Sequence, residues 1–120
     1  MAVGEEEERL VAGAGSAGFR PYDRYGMVLE GLSWKPLRYD PASGSGSFLL
    51  RFSPGAASRP HEHGGVEEFV ILDGHLIDAD GRRFGPGEVV SFAPGTRHHS
   101  VAPEGCTIAV FLRGRNRVLD

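Results

Sequence analysis

Glycine and proline interrupt this chain so regularly that a long helix has nowhere to form, and this constrains the fold more than any other feature. Eighteen glycines and eight prolines lie along 120 residues as punctuation rather than as one low-complexity tract. Each would weaken or break a helix interior, and each is at home in a turn. Leu72-Asp73-Gly74, Asp78-Ala79-Asp80-Gly81, Gly85-Pro86-Gly87, Pro94-Gly95 and Pro103-Glu104-Gly105 act as turn signals. They recur about every ten residues, the spacing of short strands in a sandwich or barrel. Residues 47–53 alternate, with Phe48, Leu50 and Phe52 on one side and Leu49 and Arg51 on the other, and residues 106–112 form a strongly apolar strand that should be central. The expected fold class is all-β, a small antiparallel barrel or double-sheet jelly roll.

A hydrophobic content of 40% over 120 residues supplies one core and is too little for two. Residues 1–18 join the acidic run Glu5–Glu8 to Gly13-Ala14-Gly15-Ser16-Ala17-Gly18. This composition buries little apolar surface, so 1–18 is expected to be a flexible arm, with one or two helical turns at most over 5–11, and 19–120 a single domain. Residues 25–39 read as short strands and turns, with Trp34 either in the core or at an oligomer contact, and 41–47 read as a flexible connection. The net charge of −3, without a Lys/Arg cluster interleaved with aromatics, argues against nucleic acid as a partner. The single cysteine, Cys106, allows no intrachain disulfide and is read as a buried, inert thiol. Neither a secretory signal nor an apolar run of membrane-spanning length is seen, so a cytoplasmic protein without a membrane is expected.

Chemistry concentrates between Gly55 and Gly74, where His61, His63 and Glu67 fall close together. On a strand, the spacing of His61 and His63 aims both imidazoles at one face, and Glu67 has the same parity after the Gly64-Gly65 bend. Imidazole and carboxylate without thiolate suit Fe(II), Mn(II), Ni(II) or Zn(II). Glu68 is the competing carboxylate, but parity favours Glu67 and turns Glu68 outward. On another strand His98 offers a fourth ligand. His99 has the opposite parity and is expected to be exposed or structural. His75 shares the parity of Glu67, Phe69 and Ile71; it could line a pocket, although a structural role is favoured. Arg51, Arg59 and Arg97 are the nearest cations: solvation is the expectation for Arg59 and Arg97, and alternation alone does not say whether the Arg51 face is inside.

The spacing Gly55, His61-x-His63, Glu67, Gly74 resembles the first motif of the cupin superfamily, and Gly87, Pro94-Gly95, His98 resembles the second, with Ala93 where proline is usual and Ala102 in place of the terminal asparagine. The resemblance implies a cupin barrel in which His61, His63, Glu67 and His98 hold one divalent metal ion and leave positions open for water, substrate or dioxygen. Within the superfamily, residues 48–114 look similar to the cupin half of ChrR-type anti-sigma factors and their free-standing relatives. The resemblance rests on His63-Gly64-Gly65-Val66-Glu67-Glu68-Phe69, Pro94-Gly95-Thr96-Arg97-His98 and Glu104-Gly105-Cys106-Thr107-Ile108. About 45 residues without Cys or His precede the barrel, where the regulators carry a zinc-binding domain, so anti-sigma activity is not expected.

The same branch includes acetylacetone-cleaving dioxygenases. The resemblance therefore implies a metal-dependent oxygenase, Fe(II)-dependent and dioxygenase-like, acting on a small oxygenated organic molecule of diketone or phenolic ketone type. The alternatives are a non-redox isomerase or lyase using Zn, Mn or Ni, and a non-catalytic sensing or binding module. A jelly roll leaves strand edges that need cover, so a homodimer is expected, with the segment carrying Tyr22, Tyr25 and Trp34 covering an edge.

Overall fold

The protein, described over residues 8–119 by a computed structural model, is built from strands, and no helix occurs among the described residues. In chain order the strands are β1 (Arg20–Pro21), β2 (Leu32–Asp40), β3 (Ser45–Phe52), β4 (Ala56–Ala57), β5 (His61–Glu62), β6 (Glu67–Gly74), β7 (Leu76–Asp78), β8 (Arg83–Phe84), β9 (Val89–Phe92), β10 (Arg97–His98), β11 (Ser100–Ala102), β12 (Cys106–Leu112) and β13 (Arg117–Val118). They form a six-stranded sheet in the order β1-β2-β3-β12-β6-β9, a three-stranded sheet β10-β5-β13 and a four-stranded sheet β4-β11-β7-β8. Every pairing is antiparallel. The fold is an all-β cupin jelly roll. No helix of the described residues is long and apolar enough to cross a membrane.

Alternation in β3 decides which face is inside. Phe48, Leu50 and Phe52 are buried, and across the ladder they meet Val110, Ile108 and Cys106 of β12, which in turn meets Phe69 and Ile71 of β6. Full burial of each such side chain contributes about 1.5–3 kcal/mol. Leu76, Phe84 and Ala102 from the four-stranded sheet close the other side of this core. β12 is central, as its apolar sequence predicts, and Cys106 is buried and free. Burial, with the Asp73 charge adding to it, pushes its thiol up to about 12, so it is no nucleophile.

Two segments differ from expectation, and two readings left open are decided. Residues 32–40 form one strand despite Pro36, because the β2–β3 ladder shifts register between Pro36 and Tyr39. The connection at 41–47 is a hairpin, since Asp40 already pairs with Ser45, and Gly46 is needed because a Cβ there would meet the Arg38 carbonyl. The interior parity also flips within β6, where the ladder with β12 shifts register between Ile71 and Asp73, so Leu76 rather than His75 points inward. His75 lies half-buried with its ring against Gly85. Trp34 belongs to the core, in edge-to-face contact with Tyr22, Tyr39 and Phe48.

The N-terminal segment packs on its own barrel. β1 pairs with the edge strand β2, and the carbonyls of Gly13, Ala14 and Gly15 accept hydrogen bonds from Lys35 and Arg51. Arg51 therefore faces away from the pocket, its guanidinium over the Phe19 ring. The helical turn considered for 5–11 falls partly outside the described residues, and 8–11 form no helix.

Candidate metal centre

Three short pieces of chain bring the histidines together. His61 and His98 are direct cross-strand partners on β5 and β10. His63 lies just past β5 but stays extended, because its N–H donates to the Thr96 carbonyl and its own carbonyl accepts from Gly95. Glu67 opens β6 opposite Phe92 of β9. The turn between them is tight: Cβ atoms at Gly64 and Gly65 would lie 2.1 Å and 1.8 Å from the carbonyl oxygens of Arg115 and Arg113. Only glycine allows 113–115 to pack so closely and deliver Asn116 beside Glu67. All four candidate ligands are buried, and one donor atom from each lies within 4.8 Å of the others.

The hydrogen bonds around the rings say which nitrogen is free. His61 Nδ1 lies 2.7 Å from the Arg59 carbonyl, and His98 Nδ1 lies 2.8 Å from Asp78 Oδ1. His63 Nδ1 is 2.8 Å from Thr96 Oγ1, whose own hydrogen is donated to the Ala93 carbonyl at 2.7 Å. Each partner accepts, so each Nδ1 carries the proton and each Nε2 presents a lone pair inward. His63 Nε2 lies 3.1 Å from both His98 Nε2 and Glu67 Oε1. Acceptors this close need a cation among them, whether a metal ion or a proton on one nitrogen, and the donor set fits a divalent metal. Asn116 Nδ2 donates to Glu67 Oε1 at 2.9 Å and fixes the carboxylate.

Electrostatics suits the same task. Burial drives the His61 pKa down to about 4, against the opposing pull of Glu67 and of the Arg59 carbonyl, so the ring is neutral at physiological pH. For Glu67, burial would raise the pKa, but the neighbouring His63 and His61 and the hydrogen bond from Asn116 hold it well below the ordinary carboxylate range. A neutral imidazole and an ionised carboxylate are the forms that bind metal.

Comparison with known proteins agrees with this geometry. The family model of the ChrR cupin-like domain matches residues 21–115. The chain belongs to that family. Its fold is similar to an acetylacetone dioxygenase from Acinetobacter johnsonii, at 16% identity and a TM-score of 0.76 over 96% of this cupin and 80% of that chain. It is also similar to a chain of the Rhodobacter sphaeroides SigE complex with the anti-sigma ChrR, at 22% identity and a TM-score of 0.64, covering 80% of this cupin but 48% of that chain. The polyketide cyclase RemF from Streptomyces resistomycificus matches at 19% identity and a TM-score of 0.66, over 92% and 87% of the two chains. A sequence search among curated proteins finds no match.

Beside the ligands the cupin encloses a cavity of about 40 Å³, lined among others by His61, Glu67, His98, Tyr22, Arg24 and Arg59. Glu68 points outward and accepts from Ser91, and His99 is exposed, both as expected. Arg97 is exposed and pairs with Glu62, which also takes Arg117. Arg59 departs from expectation: it is half-buried at the cavity, and its carbonyl orients His61. The sequence offered no sign of Asp78, which sits in a stretch that reads as a turn, or of Asn116 beyond the recognisable motif. Tyr22, Arg24 and Tyr25 come from a segment that carries no motif at all.

Proposed function

We propose that this cupin is a mononuclear metal-dependent enzyme, an Fe(II) oxygenase acting on a small oxygenated organic molecule of the diketone or phenolic ketone type. The observation that carries the reading is the convergence of three imidazole Nε2 lone pairs and an ionised Glu67 on one point at the wall of a cavity. When bound by His61, His63, Glu67 and His98, a divalent ion supplies a Lewis acid for a carbonyl oxygen and, as Fe(II), a source of electrons for dioxygen. The protein's own contribution is positional. Asp78, Thr96 and the Arg59 carbonyl hold the protons of Nδ1, Asn116 steadies Glu67, and Phe92, stacked on His98 at 4.1 Å, keeps that ring in plane. Leu50, Phe69, Leu76 and Ile108 exclude water from the cavity.

Protein purified without added metal should carry one divalent ion per chain, lost in His61→Ala and kept in His99→Ala. With Fe(II), oxygen uptake should follow addition of short diketones. Absence of any bound metal would overturn the site, and metal without oxygen uptake across diketones and phenolic ketones would overturn the oxygenase assignment. The small cavity supports a second reading, a sensing module that binds without turnover, which predicts ligand-induced stabilisation and no consumption of oxygen. We also propose a homodimer, supported by exposed Leu72, Val89 and Phe111 on adjacent strands β6, β9 and β12. Phe111→Asp should shift the sedimentation coefficient to that of one chain.

A further inference from the structure

Arg24 is the least expected wall of the cavity. Its Nε donates to the Tyr39 hydroxyl at 3.1 Å and its Nη1 to the Tyr22 hydroxyl at 3.2 Å. The guanidinium is hemmed by the rings of Tyr25, Tyr39 and Phe48 at 4.8, 5.5 and 5.3 Å. Both acceptors are phenols, and burial holds the Tyr22 hydroxyl far above the ordinary phenol range despite the Arg24 charge, so Tyr22 offers no negative charge. Among the described residues no carboxylate pairs with Arg24. A guanidinium has five N–H donors, and only two of these hydrogen bonds go to protein, which leaves the Nη2 edge without a partner among the described residues. Arg24 is half-buried between this cavity and an outer groove with Asp23, Trp34 and Tyr39.

The charge balance of the cavity points the same way. Its lining includes Arg24 as a cation without a carboxylate partner among the described residues and Glu67 as the carboxylate, and Glu67 is already engaged with His63 and Asn116. A volume of 40 Å³ is far below a drug-sized pocket. A short, negatively charged molecule fits both limits.

We propose that Arg24 binds a carboxylate of the substrate, so that among the small oxygenated molecules of the preceding reading a short-chain oxo acid, its keto group facing the histidine cluster, is preferred over the neutral diketone. Tyr22 and Tyr39 hold the guanidinium from behind, so Arg24 is a specificity-determining residue supplied by the N-terminal segment. The proposal rests on the metal reading for its chemistry, but not for the anion contact.

Acetoacetate and acetylacetone test it, because they have nearly the same shape and differ in one carboxylate. Binding is measured by calorimetry on Zn(II)-loaded protein, which is redox-inert, and on chelator-treated protein. Acetoacetate should bind at least tenfold more tightly than acetylacetone in both forms. Arg24→Gln should weaken acetoacetate roughly tenfold to a hundredfold, the scale of a charged hydrogen bond, and leave acetylacetone unchanged, with Arg24→Lys in between. Equal binding of the two ligands by the native protein would overturn the proposal, as would an unchanged preference in the variants. If neither variant folds, the native ratio alone decides. A preference that survives in protein that never takes up metal would sink the metal reading and leave the Arg24 contact standing; metal-dependent binding of both ligands, indifferent to Arg24, would do the reverse.

Discussion

Asp78→Asn separates the geometry of the site from its charge. Asp78 Oδ1 accepts from His98 Nδ1 and from Ser100 Oγ, each at 2.8 Å, and its side chain is 9% exposed. Asparagine keeps the shape and one acceptor oxygen but removes the negative charge that makes His98 a stronger ligand. Hydrogen bonds to charged groups contribute about 1.5–3 kcal/mol and neutral ones about 0.5–1.5, so the loss is about 1–1.5 kcal/mol, or roughly tenfold in affinity. This lies at the lower end of what outer partners of metal ligands usually supply. Zn(II) affinity, measured by chelator competition at constant pH, should fall about tenfold, while the unfolding free energy of metal-free protein changes by under about 1 kcal/mol. Ser100→Ala, which leaves the carboxylate on His98, should change Zn(II) affinity by less than about threefold on the same reasoning. Unchanged affinity in Asp78→Asn, or a larger loss in Ser100→Ala, would show that Asp78 merely packs.

Three further outcomes are expected. His61 is neutral in the fold down to pH about 4 while the unfolded chain takes up its proton near 6.5, so the unfolded state binds more protons between these values. The metal-free protein should therefore be fully stabilised by this group above pH 6.5 and lose up to about 3 kcal/mol as pH falls towards 4, in urea titrations; His61→Gln should flatten that slope, and a flat native profile would refute the assignment. Leu76→Ala should cost about 2–5 kcal/mol and His75→Ala under about 0.5, and the reverse order would contradict the parity flip in β6. Gly65→Ala drives a Cβ against the Arg113 carbonyl; it should cost about 1–3 kcal/mol and weaken metal binding, read by melting with and without Zn(II).

Strand content and the grouping of His61, His63 and Glu67 were legible because both depend on local spacing. Glycine and proline mark the turns of β6 to β12, and the parity that links His61, His63 and Glu67 is a property of extended chain. Parity fails as a guide where a bulge intervenes, which is why it left His75 open between pocket and structural roles: the extra residue at Leu72, between the pairings of Ile71 and Asp73 with β12, resets the alternation. The pairing of Asp40 with Ser45 was hidden because 41–47 has the composition of a linker. Asp78, Asn116 and Arg24 reach the site from 20, 49 and 43 residues away from His98, Glu67 and Glu67 respectively, and nothing in their own neighbourhoods marks them. Distance along the chain, rather than weakness of the chemistry, concealed them.

The small sheet β10-β5-β13 has a consequence for the order in which the molecule is made. His61 sits on the middle strand, flanked by His98 and Val118, so a growing chain exposes His61, His63 and Glu67 long before either flanking strand exists. The ladders of β3, β6 and β12 join residues far apart in the chain, and such distant pairings close slowly. A metal ion at this cluster would therefore meet its full set of donors only once β10 had been made and had paired with β5, so it would sit late in the order of assembly.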